Sequence, residues 1–287
     1  MGMIIRKHNH YPAKDVKNYY TMIFNESLSY PRPMLTILQI SALTDNYIYL
    51  LHDPESKETA VIDPPVAKPV LNLLNEQNWS LKYILNTHHH WDHIGGNDEL
   101  KRANRCQIAA SRYDQTRIPE VDIALDEGDV IQLGDQQLNV FETPGHTLGH
   151  IVFYAKESQA LFCGDTLFGM GCGRLFEGSA EQMWHSLLRI KLLPAETHIY
   201  CAHEYTENNG RFALTLEPQN SRLHQRMSQI RQQRVAGLST IPSTLADELA
   251  TNPFLRTDCT ELQTQLGLQN ASEIEVFAKI RQLKDKF

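Results

Sequence analysis

Two sheets packed together and covered by helices, followed by a helical C-terminal region, make up the α/β fold class that this 287-residue sequence predicts. Three observations carry it. From Met34 to about Ala202, short runs rich in β-branched and aromatic residues recur, and some of them pair as hairpins. Segments with apolar residues at helical spacing fall between these runs. Beyond Ala202 the strand patterns become scarce and helical spacing takes over. The implied division is an N-terminal extension over 1–33, a catalytic domain over 34–203 and a helical domain over 204–287.

Taken in order, "LTILQI", "NYIYLLHD" and "ETAVID" read as strands, "PVAKPVLNLLNEQN" as a helix, and "LKYILNT" as a buried strand that runs straight into a cluster of histidines. Strands follow in "QIAAS", in "DVIQLGDQQLNVFETPG" with its turn at "GDQQ", in "HIVFYAKESQALFCGD" and in "THIYCAH"; "SAEQMWHSLLRIKLL" reads as a helix between the last two. "NNGRFALTLEP", "NSRLHQRMSQIRQQRVAG" and "ASEIEVFAKIRQLKDKF" carry the helical spacing of the C-terminal region. With no Gly/Ser- or Pro-rich linker ahead of it, that region is expected to pack closely on the first domain. The first 33 residues lack an uninterrupted apolar stretch and a small-residue cleavage site, so they read as a tail rather than a secretory signal, with Met34 as a candidate start.

At 41% hydrophobic residues the chain can bury a sizeable core. Its formal charge of -7 offers no overall attraction to a phosphate backbone, which argues against nucleic acid as a partner. No apolar run approaches the ~20 residues of a membrane span. Five cysteines, an odd number without a close CxxC pair, do not form a disulfide framework and point to a reducing, cytoplasmic setting.

The stretch "THHHWDHIGG", Thr87 to Gly96, concentrates four histidines and an aspartate. His88 and His90 stand two apart, so on an extended segment both rings point the same way; Asp92 continues that alternation, and His93 reaches the same neighbourhood once the chain turns into a helix after "DHIGG". Neutral imidazoles and carboxylates are the ligands that divalent metals take. Further candidates stand where strands run out into loops: His146 in "TPGHTLGH", Asp165 in "FCGDTLF" and His203 in "CAHEYT". His89 alternates away from its neighbours, and it and His150 read as residues that support the ligands.

"THHHWDH", "PGHT", "GDTLF" and "HEYT" together resemble the metallo-β-lactamase superfamily, and "GDTLFGMGCGRLFEG", "CAHEYTENNGRFAL" and "RQLKDKF" are more particular to glyoxalase II, the hydroxyacylglutathione hydrolases. The resemblance spans about Met34 to Phe287 and implies an αββα metallo-β-lactamase-type sandwich with a binuclear metal site, followed by a helical glutathione-binding domain. It implies that His88, His90 and His146 hold one ion, that Asp92, His93 and His203 hold the other, and that Asp165 bridges them. Two divalent ions are expected, Zn2+ first, with iron or manganese also suited to mixed His/Asp ligation. Arg174, Phe176, Tyr205, Asn209, Arg281 and Lys284 are implied around the glutathione part of the substrate. Where the eukaryotic motif has a lysine and a tyrosine, this chain has Arg174, which keeps the charge, and Phe176, which loses a hydroxyl.

The implied reaction is hydrolysis of S-D-lactoylglutathione and related 2-hydroxyacyl thioesters to glutathione and the free hydroxy acid, the second step of methylglyoxal detoxification. Asp92 and Asp165 are the catalytic carboxylates of that reading, which casts the chain as a monomer acting on a small-molecule thioester. A persulfide dioxygenase, with similar ligands around one iron, is the nearest rival, and the long C-terminal region speaks against it. Asp92 together with Asp165 departs from a β-lactamase, the negative charge disfavours a nuclease, and a full set of ligands disfavours an inactive scaffold.

Overall fold

The computed structural model describes residues 34–287; the tail and start-site expectations for 1–33 lie outside them. The first sheet has the order β1 (Thr36–Ala42), β2 (Asn46–His52), β3 (Glu58–Ile62), β4 (Ser80–Leu85), β5 (Gln107–Ser111) and β6 (Ile123–Leu125). β1, β2 and β3 pair antiparallel; β3 to β6 run parallel, because helices make the crossovers between β3, β4 and β5. These helices are α1 (Lys68–Gln77), α2 (Trp91–Ile94) and α3 (Asn97–Asn104). β2 shows why the sheet must be covered on both sides. Tyr47, Tyr49 and Leu51 face the core between the sheets, while the alternate residues Ile48 and Leu50 join Val70, Leu74 and Leu100 beneath α1 and α3.

The second sheet is built mainly from β7 (Val130–Leu133), β8 (Gln136–Glu142), β9 (Ile151–Ala155), β10 (Ala160–Gly164) and β13 (His198–Cys201). Between β10 and β13 come a two-stranded hairpin, β11 (Leu167–Phe168) with β12 (Gly171–Cys172), and the helix α4 (Ala180–Lys191). A capping box of Ser179 with Gln182 starts α4, whose Met183, Trp184, Leu187 and Ile190 turn inward at helical spacing.

α5 (Thr206–Leu216) and α6 (Ser221–Val235) open the C-terminal region, which then contributes an unexpected strand, β14 (Ser243–Thr244), to the edge of the second sheet beside β13. Two residues carry no alternation, so sequence reading had no signal there. The helices α7 (Leu245–Thr251), α8 (Thr260–Leu266) and α9 (Glu273–Lys284) complete the chain. Phe277 of α9 packs 6.1 Å from Trp184 of α4, ring to ring, so helices from the two predicted regions share one outer layer and one core. Among the described residues no helix is long and apolar enough to cross a membrane.

Candidate metal centre

The ends of β3, β4, β8, β10 and β13, together with the β1–β2 turn, converge at one rim of the sandwich. His88 Nε2 lies 2.9 Å from His90 Nδ1, and His146 Nε2 approaches the same atom at 3.1 Å. Beside this trio, His203 Nε2 stands 3.5 Å from Asp92 Oδ2 and 3.4 Å from Asp165 Oδ1, and His93 Nε2 is 3.6 Å from each of these carboxylates. Asp165 also reaches the first trio, with Oδ2 at 3.4 Å from His146 Nε2. The structure thus brings all seven predicted ligands together.

One local expectation is corrected. Asp92 does not continue an extended alternation, because α2 already begins at Trp91 with His90 as its cap, and the helical turn swings Asp92 and His93 to the second group. The glycine pair ends that helix under close contact. A Cβ on Gly95 would stand 2.5 Å from the Pro65 carbonyl oxygen, so only glycine lets α2 tuck against the chain leaving β3. Gly164 plays a similar part at the end of β10, where φ is +48° and a Cβ would meet Thr87 Oγ1 at 2.4 Å.

Hydrogen bonds on the far side of the rings fix which nitrogens offer lone pairs. His146 Nδ1 donates to the Arg174 carbonyl at 2.8 Å, His203 Nδ1 to Asp45 at 2.8 Å and His93 Nδ1 to Asp63 at 3.1 Å. The Thr87 hydroxyl donates to Asp63 at 2.6 Å, so it accepts from His88 Nδ1 at 3.1 Å. In its neutral form, the one a metal takes, each of these four rings therefore turns an unprotonated Nε2 inward. Two lone pairs face His90 Nδ1, which has one proton at most; two more face only carboxylate oxygens. His93 Nε2 and Asp165 Oδ1 are buried without a hydrogen-bond partner among the described residues. Such a convergence of acceptors is unfavourable unless a cation sits among them.

The electrostatics agree. Burial and the neighbouring imidazoles of His146 and His89 hold His90 down at about 4, and burial with the same kind of crowding pushes His88 well below the ordinary value. Burial also disfavours charge on His93, yet Asp165, Asp63 and Asp92 outweigh it and raise that ring to about 9. The second group demands positive charge, which a divalent ion supplies without a proton. His88, His90 and His146 form one set of donors and Asp92, His93 and His203 another, and contacts of 2.9–3.6 Å bracket the ~3.3 Å that tetrahedral nitrogen ligands around zinc require. The residues fit a pair of divalent metals.

Sequence reading missed Asp45 and Asp63, the carboxylates that orient His203 and His93, and Asn46, whose amide donates to Asp92 Oδ2 at 3.2 Å. Their signal was an aspartate or asparagine at a strand end, in "LTDN" and "VIDPP". Asp63→Asn is expected to weaken metal retention by about 10–100-fold, measured by competition with a chelator, because the ring it holds loses its orientation and basicity. His89 points away as predicted, contacting Asp114 at 3.3 Å within a network that includes Arg117 and Glu177. His150 lies beneath the site, where its Nε2 accepts from the Asp165 backbone at 3.1 Å.

Next to the ligands opens a cavity of about 410 Å³ with His146 and Asp165 at its floor. Arg174, Phe176, Tyr205, Asn209, Arg281 and Lys284 all line it, as does Asn208. Phe176 sets its ring edge-on to His90 and His146, at 5.6 and 5.2 Å, and Tyr205 stacks on His203 at 4.9 Å. Arg174 and Lys284 have no carboxylate partner among the described residues, and burial followed by the charges of Arg281 and Arg174 lowers the Lys284 ammonium pKa. Arg281 is different. It is buried, donates to the Cys172 carbonyl at 2.9 Å, pairs with Asp285 at 2.8 Å and lies over the Phe254 ring, so most of its hydrogen-bonding capacity is spent within the protein. Asn209 likewise gives its amide to the Gly169 carbonyl at 3.1 Å. The one cavity-lining thiol, Cys172, is pushed up to about 11 by burial and stays neutral, which removes it as a nucleophile.

Comparison with known proteins places residues 44–203 in the metallo-beta-lactamase superfamily and residues 204–287 in the family described as hydroxyacylglutathione hydrolase C-terminus. The chain is 54% identical over 254 residues to a hydroxyacylglutathione hydrolase of Methylococcus capsulatus, covering 88% of this chain and 99% of that one. Proteins of the same name from Rhodospirillum rubrum and Maricaulis maris are 50% and 49% identical over 253 residues, again at 88% and 99% coverage. Among solved structures, ETHE1 from Myxococcus xanthus superposes with a TM-score of 0.63 at 23% identity, over 86% of this chain and 90% of that chain. The BLEG-1 B3 metallo-beta-lactamase superposes with a TM-score of 0.59 at 22% identity, over 77% and 99%. These two likenesses establish the sandwich fold.

Proposed function

The chain belongs to the hydroxyacylglutathione hydrolase family of the metallo-β-lactamase superfamily, and from that premise we propose how its residues divide the hydrolysis of S-D-lactoylglutathione to glutathione and D-lactate. It is a metal-dependent thioester hydrolase of the glyoxalase II type. The observation that carries the reading is the coincidence, in one cavity, of a floor rich in metal donors with the cations Arg174 and Lys284, which have no carboxylate partner among the described residues.

When bound, two divalent cations supply Lewis acidity, polarising the acyl carbonyl and lowering the pKa of water from 15.7 towards ~7. His88, His90 and His146 would hold one, Asp92, His93 and His203 the other, with Asp165 between the two sets; we assign both ions as zinc. Asp92 Oδ2 faces His93, His203 and the Asn46 amide, which leaves Oδ1 to accept a hydrogen bond from the attacking water and aim its oxygen at the acyl carbon. Lys284 and Arg174, with Arg281 behind them, hold the carboxylates of the glutathionyl part, so the thioester carbon rests at the floor. Phe176 and Tyr205 wall the passage, and Phe176 acts through packing alone, against His90 and His146. Asn209 shapes the cavity by holding the Gly169 carbonyl. The departing thiolate needs no strong acid, since an unperturbed cysteine-type thiol titrates at ~8.5. We further propose that the enzyme works as a cytoplasmic monomer.

The test is a thioester hydrolysis assay run alongside metal analysis. About two metal equivalents per chain are expected, with activity abolished by thorough chelation and recovered on returning zinc. Turnover by metal-free protein would overturn the mechanism.

A further inference from the structure

The hairpin β11–β12 lies between Asp165 and Arg174 and supplies two walls of the cavity, Phe168 and Cys172. So short a hairpin cannot hold its own shape: two strands of two residues each leave most backbone groups without a partner. Those groups are met instead by side chains from the C-terminal region. Asn252 Nδ2 donates to the carbonyls of Phe168 at 3.2 Å and Gly171 at 3.0 Å. Glu248 Oε2 accepts from the Met170 backbone at 2.8 Å, at a turn residue whose φ is +53°. Glu248 and Asn252 are both fully buried and bonded to each other at 3.1 Å, and Glu248 is anchored from behind by Arg226 and by the Ser243 hydroxyl at 2.7 Å.

We propose that Asn252 and Glu248 are positioning residues for substrate binding: they fix the hairpin that forms the cavity wall between the metal floor and the cationic end, and so set the distance the thioester must span. Neither lines the cavity. The physical reason is that buried carbonyls and amides must be satisfied, and here the satisfying groups belong to a different part of the chain. The placement of the wall is thereby tied to the packing of α7 rather than to the hairpin's own sequence.

The kinetic consequence rests on the thioester hydrolase reading. Asn252→Ser keeps an oxygen able to cap Phe254 N, as the Asn252 side chain does at 3.1 Å, but removes both bonds to the hairpin. The control is Ser179→Ala, which breaks the capping box of α4 and touches neither the hairpin nor the residues that hold it. With S-D-lactoylglutathione, Asn252→Ser is expected to raise KM about tenfold, with kcat within about threefold and metal content unchanged, as for lost uniform binding. Hydrolysis of a small thioester lacking glutathione should be unaltered, and Ser179→Ala should keep a wild-type KM even where it lowers Tm. Hydrogen exchange read on the folded proteins should show the Met170 amide protected in the wild type and exposed in Asn252→Ser. An unchanged KM in folded Asn252→Ser, or equal KM effects in both variants, would overturn the positioning role; so would an unprotected Met170 amide in the wild type, which settles the matter even if the variant does not fold. A wild-type enzyme inactive on the thioester would instead sink the hydrolase reading and leave the exchange result to judge the cradle.

Discussion

Asp165→Ala is expected to lose hydrolytic activity on the order of 10³-fold or more and to purify with less than its full metal content. Asp165 is the one ligand whose two oxygens address both groups of donors, at 3.4 Å from His146 and at 3.4 and 3.6 Å from His203 and His93. Its carboxyl shows the same thing electrostatically. Burial alone would raise its pKa, but His203, His93 and His146 reverse this and hold it at about 2. Removing the side chain leaves five buried or half-buried rings and Asp92 without the anion that balances two cations. His89→Ala provides the contrast. Its ring meets Asp114 and Glu177 outside the constellation, so activity should fall less than about tenfold, with some loss of Tm as the loop network loosens. Metal analysis and kcat measured on both proteins decide the assignment; comparable activity in the two would show that Asp165 does not bridge.

The double replacement Arg281→Ala/Lys284→Ala should raise KM on the order of tenfold to a hundredfold while kcat changes much less. A charge-assisted hydrogen bond contributes ~1.5–3 kcal/mol, and each 1.4 kcal/mol is a factor of ten in affinity. The structure divides that effect unequally. Lys284 is half-buried, faces the cavity and lacks an acidic partner among the described residues, so Lys284→Ala should raise KM with Tm little changed. Arg281 is bonded to the Cys172 carbonyl and to Asp285, so Arg281→Ala should lower Tm as well as weaken binding. A small thioester without carboxylates should be nearly indifferent to the loss of Lys284. Lost kcat on both substrates with KM unmoved would show that Arg281 and Lys284 do not hold the substrate.

Much of the metal site was legible because its chemistry is concentrated in residue types that have few other reasons to cluster. His88, His90 and His93 announce themselves in one stretch, and His146, Asp165 and His203 each follow a strand that reads clearly from its apolar run. Asp45 and Asp63 were not legible, since an aspartate after a strand is an ordinary turn residue until a histidine ring is seen to lean on it. The same holds for Asn252 and Glu248, whose roles exist only through the hairpin they grip, about 80 residues earlier in the chain.

Local sequence by itself determined the period of each long element, the turn to helical segments beyond Ala202, and the inventory of ligands, because periodicity and side-chain chemistry are properties of neighbouring residues. Tertiary structure decided what depends on distant partners. It started α2 at Trp91 beneath the Pro64–Ala67 backbone, so that Asp92 left the alternation of His88 and His90. It added β14 to the sheet beside β13, and it turned Arg281 inward against Cys172 while leaving Lys284 without an acidic partner among the described residues. In each case the deciding contact joins residues far apart in the chain, and hydrogen-bond satisfaction of a buried group fixed a choice that local propensity left open.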